Sequence, residues 1–220
     1  MTFDTLLFDL DDTIHDRNKT LHNFVNLFTL RYENELDSHS KLILEDVFCE
    51  IDKQGYRSRE EVFEELKNIL TWKHKPNLKE QIAFWNTEFP KCAEPLFDLY
   101  HVLDYFKKRN VKMGIITNGS SVFQNAKIDK LKIREYMKTI IISEDVNIRK
   151  PDPKIFQFTL AKIQSNCETT LFVGDNPMVD IKGAIDSGLI SVWLSHDQAW
   201  NIKQFHPTYI IDKLSDLMQF

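Results

Sequence analysis

Leu6-Leu7-Phe8-Asp9-Leu10-Asp11-Asp12-Thr13, near the start of a chain of 220 residues, decides how the fold is read. Three apolar residues have the texture of a buried strand, and they give way at once to three carboxylates and a hydroxyl. A parallel sheet buries both faces of its strands and carboxylates are costly there, so acids crowded at a strand exit imply compensation by a cation or a reaction. Asp9 and Asp11 have the spacing of a nucleophile and its proton donor.

Outward from this stretch the chain changes texture twice. From about residue 19 to 90 the apolar positions recur at helical spacing. Leu21, Phe24, Val25, Phe28 and Tyr32 share one face, then Leu44, Val47, Phe48 and Ile51, then Val62, Phe63, Leu66, Ile69 and Leu70. After Pro95 the pattern alternates. It predicts helices over about 97–109 and 121–131, strands at 112–116, 139–142, 170–173, 190–194 and 209–211, and a helix opened by Asp152 as N-cap with Pro153 behind it. A further helix ends before Gly188. Alternating strand and helix with short connections predicts an α/β fold, a doubly wound, Rossmann-like parallel sheet. The first strand belongs to that sheet although it is remote in sequence, so residues 1–15 and 93–220 read as the core domain and 16–92 as an all-helical insertion.

Composition narrows the function classes. Apolar residues make up 42% and charged residues 28%, which describes a globular chain rather than a disordered or membrane one. The net charge of −5 and the lack of a basic run give no support for a nucleic-acid polymer as partner. Cys49, Cys92 and Cys167 are widely spaced and form no C-x-x-C pair, so they read as reduced thiols. The N-terminus lacks signal-peptide character and no run approaches ~18 apolar residues, so a soluble, cytoplasmic protein without membrane partners is expected. The number of subunits is not legible.

Ligands of a doubly wound sheet lie beyond the carboxyl ends of its strands, which singles out four places. They are Asp9-Leu10-Asp11-Asp12-Thr13, Thr117-Asn118-Gly119-Ser120, Lys150-Pro151, and Gly174-Asp175-Asn176-Pro177-Met178-Val179-Asp180. Taken singly, the Asn-Gly pair is a turn signal, the lysine a surface residue and the second acids cap candidates. Their order carries more than any one of them.

In that order, each at a strand exit, the four motifs resemble the haloacid dehalogenase superfamily of hydrolases over essentially the whole chain. The helical insertion resembles that superfamily's first class of cap domain. Val192-Trp193-Leu194, with Pro207-Thr208-Tyr209-Ile210-Ile211 and Leu214-Ser215-Asp216-Leu217, is similar to the branch that holds bacterial nucleotidases active on pyrimidine monophosphates. The resemblance implies a phosphomonoesterase in which Asp9 is the nucleophile that forms an aspartyl-phosphate and Asp11 the acid and base. It implies Mg²⁺ held by the Asp9 carboxylate, the Asp11 main-chain carbonyl and Asp175, with Asp180 supporting directly or through water. Thr117 and the Asn118 N–H would hold phosphate oxygens, and Lys150 would balance the acids and the phosphoryl charge.

For Asp11 to act as an acid its carboxyl must hold a proton when substrate arrives; neighbouring acids favour this while the metal pulls the other way, and the sequence leaves the balance open. Thr13 is expected to hydrogen-bond within its turn, Asp12 to serve the turn or a cap, and His15 to mark the hinge of the cap. Gly183 is expected to allow close helix packing. Trp72 and Trp85 read as packing residues of the insertion, with stacking on a substrate base as the other use. The implied partner is a small phosphorylated metabolite, first a nucleoside 5'-monophosphate, then phosphoglycolate or a sugar phosphate. Carbon–halogen hydrolysis uses the same nucleophile, but a halide needs no proton donor, so Asp11 speaks against it. A phospho-receiver module combines similar residues without the second acid pair or the insertion.

Overall fold

The computed structural model describes residues 3–55 and 57–220, with the side chain of Gln54 left aside. The chain divides into two compact units, one running to Asp16 and resuming at Pro95, the other Arg17–Glu94. The expected borders lay one and two residues earlier. Local bonds account for the shift: Arg17 pairs with Asp52, and the Glu94 N–H donates to Thr20 Oγ1 at 3.0 Å, so both ends belong to the helical unit.

The first unit is built on six strands: β1 (Thr5–Phe8), β2 (Lys112–Thr117), β3 (Thr139–Ile142), β4 (Thr170–Gly174), β5 (Ile190–Leu194) and β6 (Tyr209–Ile211). Their order across the sheet is β3-β2-β1-β4-β5-β6, and every neighbouring pair is parallel. Leu7 stands in register with Gly114 on one side and Phe172 on the other, which puts β1 at the centre. Leu6, Leu7 and Phe8 are wholly buried, as a strand covered on both faces requires. The chain winds from β1 to β3 in one direction, then returns to the far side of β1 and winds to β6. The carboxyl ends of β1, β2 and β4 therefore converge at the point where the winding reverses.

Among the described residues of the second unit the α-helices are α1 (Arg17–Arg31), α2 (Ser38–Asp52), α3 (Arg59–Ile69) and α4 (Leu78–Glu88). The starts of α2, α3 and α4 are specified locally. Asp37 accepts from the Ser40 N–H, Asn77 from the Lys79 N–H, and Ser58 and Glu61 form a reciprocal capping box. Phe24, Phe28, Phe48, Phe63, Trp85 and Phe89 fill the interior, with the Trp85 and Phe89 rings stacked 4.0 Å apart. Two expected core positions differ. Val47 is half-buried, and Ile69, 44% exposed, ends α3 while Leu70 turns inward in its place. Trp85 is a core residue, and half-buried Trp72 packs edge-on to Tyr32.

The sheet is accompanied by α5 (Leu99–Lys108), α6 (Ser121–Lys130), α7 (Ser143–Val146), α8 (Pro153–Ile163) and α9 (Lys182–Asp186). Asp152 caps α8 through the Lys154 N–H at 2.9 Å, with Pro153 in the first turn. A Cβ on Gly183 would stand 2.7 Å from the Phe156 ring, so that glycine lets α9 close on α8. Among the described residues no helix is long and apolar enough to cross a membrane.

Candidate active site

Asp9 continues β1 by one residue: its N–H donates to the Val173 carbonyl at 2.9 Å, which fixes its backbone to β4 and leaves the side chain at the strand end. The residue is only 7% exposed. Lys150, 4% exposed, directs Nζ at Asp9 Oδ1 (2.5 Å) and Asp180 Oδ1 (2.6 Å). Asn118 holds that lysine in place. Its side-chain amide accepts from the Lys150 N–H at 2.9 Å and donates to the Lys150 carbonyl at 3.0 Å, joining the second and third motifs.

The fourth motif closes the group from the side of β4. A Cβ on Gly174 would lie 2.6 Å from Asp180 Cγ, so only glycine admits the Asp180 side chain against the strand end. A wide, π-type turn over Pro177–Ile181, capped by Asn176, carries Asp180 back to that position, where Oδ2 accepts from the Asn176 N–H at 3.0 Å. Asp175 is bound through its carbonyl to Trp193 Nε1 at 2.7 Å, and its Oδ1 accepts from Thr13 Oγ1 at 3.3 Å. Thr13 thus reaches across to the fourth motif instead of closing its own turn as expected. The buried hydroxyl stands between two strand ends and finds its acceptor there. Asp12 has a left-handed backbone (φ 56°) and its carbonyl accepts from His196 Nε2 at 2.6 Å, a turn residue by geometry.

Asp9, Asp175 and Asp180 each offer a carboxylate oxygen, and the three atoms lie within 4.8 Å of one another. Burial pushes the Asp9 carboxyl up to about 7, with Lys150 pulling against it and the Asp180 charge adding to it. Asp175 is also raised well above the ordinary carboxylate range, first by burial and then by Asp180 and Asp9. Burial lowers the Lys150 ammonium, yet Asp180 and Asp9 outweigh it and hold it above the usual lysine range. Three acids face one ammonium, which leaves negative charge without a counterion. Oxygen donors alone, crowded and buried, fit a hard divalent cation of the Mg²⁺ kind.

Asp11 has a different environment from the other acids. Its carboxylate faces one cation and two polar partners: Lys127 Nζ lies 2.5 and 2.6 Å from its two oxygens, His15 Nδ1 is 2.6 Å from Oδ1, and Gln124 Nε2 donates to Oδ2 at 3.0 Å. Burial would raise its pKa, but Lys127 and His15 hold it well below the carboxylate range. Neighbouring acids therefore do not keep this carboxyl protonated, because its immediate partners are donors. His15 is wholly buried against Asp11 and so belongs to the site, beyond the hinge role expected of it.

Lys127 and Gln124 were missed by sequence reasoning. The available signal was a polar residue in an apolar stripe: Gln124 lies one and two turns from buried Ile128 and Leu131 on one face of α6. Gln124 Nε2 also reaches Thr117 Oγ1 at 2.5 Å, so Thr117 stands beside the Asp11 carboxylate. All seven residues singled out by sequence lie together: hydrogen bonds, directly or through Gln124, link Asp9, Asp11, Thr117, Asn118, Lys150 and Asp180, and an Asp175 oxygen lies within 4.8 Å of those of Asp9 and Asp180. Of the four acids Asp11 is the one bonded to α6, beside Thr117, and the Asn118 side chain braces Lys150.

The model of the haloacid dehalogenase-like hydrolases matches residues 6–194. YfnB of Bacillus subtilis is 28% identical over 97% of this chain and 93% of its own, and its magnesium-bound crystal structure superposes with a TM-score of 0.78 over 100% of this chain and 98% of that one. The pyrophosphatase PpaX of Oceanobacillus iheyensis is 27% identical over 99% of this chain and 96% of its length. Pyrimidine 5'-nucleotidase YjjG of Escherichia coli is 35% identical across 50% of this chain and 49% of its own, so that likeness spans about half of either protein. L-2-haloacid dehalogenase of Xanthobacter autotrophicus shares the fold, with a TM-score of 0.73 at 14% identity over 99% of this chain and 98% of that one. With the matched region covering most of the sequence, this chain belongs to the haloacid dehalogenase-like hydrolases and is an enzyme of that family.

Proposed function

We propose that this enzyme hydrolyses phosphomonoesters of small metabolites by way of an aspartyl-phosphate on Asp9, with a nucleoside 5'-monophosphate as the first substrate class. The observation that carries the reading is the buried group of Asp9, Asp175, Asp180 and Lys150, with a second acid, Asp11, two residues beyond the nucleophile. An Asp9 oxygen attacks phosphorus, the P–O ester bond breaks, and the departing alcohol takes a proton from the Asp11 carboxyl. Asp11 then accepts a proton from water as that water attacks the aspartyl-phosphate, releasing inorganic phosphate and restoring Asp9.

Asp11 here accepts from three donors, so its first task is to gain a proton. The phosphoryl dianion arriving beside it is the charge that favours this. Thr117 Oγ1 and the Asn118 N–H would hold non-bridging oxygens, while Lys150 balances Asp9 and Asp180 and faces the charge of the group in transfer. Asp9, Asp175 and Asp180, with the Asp11 main-chain carbonyl, would hold Mg²⁺, which when bound neutralises phosphoryl charge so that a carboxylate can approach it. The helical unit would act as a cap that excludes water and selects the substrate.

Several relatives support a small phosphorylated substrate: a nucleotidase and glyceraldehyde 3-phosphate phosphatases such as that of Pyrococcus abyssi, 29% identical over 97% of this chain, act on esters, and pyrophosphatases on the related anhydride. The glyceraldehyde 3-phosphate phosphatases keep a sugar phosphate as the second reading. A phosphate-release screen with Mg²⁺ across nucleotides, sugar phosphates and phospho-acids, compared by kcat/KM, tests it. Turnover of one class, abolished in Asp9→Asn, is expected; no turnover of any phosphomonoester, or chloride release from a 2-haloacid, would overturn it.

A further inference from the structure

The donors around Asp11 come from α6, the helix that follows the Thr117 segment. We propose that Lys127 and Gln124 are positioning residues for leaving-group protonation, α6 setting the distance between the hydroxyl that holds the phosphoryl group and the carboxyl that protonates the departing oxygen. The inference rests on the phosphomonoesterase reading above.

Three observations carry it. Lys127 is 3% exposed, and a buried ammonium is costly unless a charge lies against it; here that charge is a carboxylate at the site, met at both oxygens. Gln124, less than one turn earlier on the same helix, spans the two groups with a single nitrogen, 2.5 Å from Thr117 Oγ1 and 3.0 Å from Asp11 Oδ2. The start of α6 is itself pinned beside Thr117: Ser120 caps it through the Phe123 N–H, and Glu144 accepts from the Ser121 N–H at 2.7 Å. A helix tied to the loop only by the Lys127–Asp11 pair would have no need of a second side chain, Gln124, that bonds Thr117 and Asp11 together.

His15 completes the clamp from the loop itself, because its N–H donates to the Leu10 carbonyl at 2.9 Å and its carbonyl accepts from the Asp12 N–H at 2.9 Å. Asp11 is thus held from its own loop and from α6. During turnover the proton passes from the Asp11 carboxyl to the ester oxygen as the P–O bond breaks. Lys127 and Gln124 give up no proton; they fix where the donor stands, and geometry at this scale governs the rate of such a transfer.

Protonation matters for a basic alcohol and little for an acidic phenol, which separates positioning from general stability. With Mg²⁺ present, Lys127→Met is expected to lower kcat for a nucleoside 5'-monophosphate by about 10- to 100-fold and for 4-nitrophenyl phosphate by about threefold or less. KM is expected to change little, and Lys127→Arg to recover most of the loss. Gln124→Leu is expected to move the ratio of the two rates the same way and to raise KM as well, since it also touches Thr117. It carries the test if Lys127→Met does not fold.

An equal loss on both esters, a loss confined to KM, or an unchanged ratio in the variant that folds would overturn the positioning role. If the wild-type enzyme turns over no phosphomonoester of the screen above, the phosphomonoesterase reading falls, and this inference with it; where a sugar phosphate is the alkyl ester it accepts, that ester takes the nucleotide's place in the ratio. If wild type is active and Asp9→Asn is not, while the ratio stays unmoved, only the inference falls.

Discussion

Each unit of this protein buries an ionic cluster, and the two respond to burial in opposite ways. In the helical unit Arg17 and Arg59 close on Asp52 at 2.6 Å each, and Arg59 also lies over the Trp85 ring. Burial raises the Asp52 carboxyl, but the two guanidinium groups outweigh it and hold it below the ordinary value. At the strand ends of the other unit, Asp9 and Asp175 are pushed up despite Lys150. A cluster whose charges satisfy one another serves stability, whereas one left with excess like charge is built for something that arrives later.

Substitutions should cross between the two clusters. Asp9→Asn is expected to reduce phosphate release by about three orders of magnitude or more, while raising the thermal midpoint of the metal-free protein because one of the crowded acids is gone. A rise in activity or a fall in midpoint would break the contrast. Asp52→Asn should do the reverse. It leaves two arginines facing no carboxylate, at a cost of about 3 kcal/mol in denaturant unfolding, with kcat for 4-nitrophenyl phosphate unchanged.

The pH dependence of stability sharpens the same comparison. Because the folded-state pKa of Asp9 is raised from 3.8 to about 7, the folded metal-free protein holds more protons than the unfolded chain between those values. Stability is therefore expected to fall as pH rises from about 4 to about 7, and Mg²⁺ is expected to raise the midpoint more at pH 7.5 than at pH 5. Asp52 and Asp11, whose pKa values are lowered, act at the other end: the stability they contribute is present above their unfolded pKa and lost as pH falls below it. Thermal scans across pH, with and without Mg²⁺, read both. The smallest effect is local: Ser58→Ala removes the α3 capping box and should cost about 1 kcal/mol without altering turnover.

Much of this arrangement was legible because it rests on local chemistry. Strands buried on both faces announce themselves as apolar runs, and Asp152-Pro153 marks a helix start in any context, so strand ends could be placed to within one residue and the start of α8 to the residue. The acids of the first and fourth motifs were legible for the same reason, since charge at a strand exit is conspicuous. The partners of Asp11 were not. Lys127 lies 116 residues from it in sequence, and a lysine on a helix reads as a surface residue until tertiary structure turns it inward. Thr13 was misjudged alike, because its acceptor, Asp175, is 162 residues away.

The wide turn over Pro177–Ile181 makes the length of the chain a functional quantity. Successive residues of a helix advance by about 100° around its axis, so removing one residue between Asn176 and Asp180 would swing the acid off Lys150 while every chemically active side chain remained in the sequence. Two chains with identical motif residues but unequal spacing at this turn would differ as enzymes. Counting from Asp175 to Asp180 is therefore as informative as naming them.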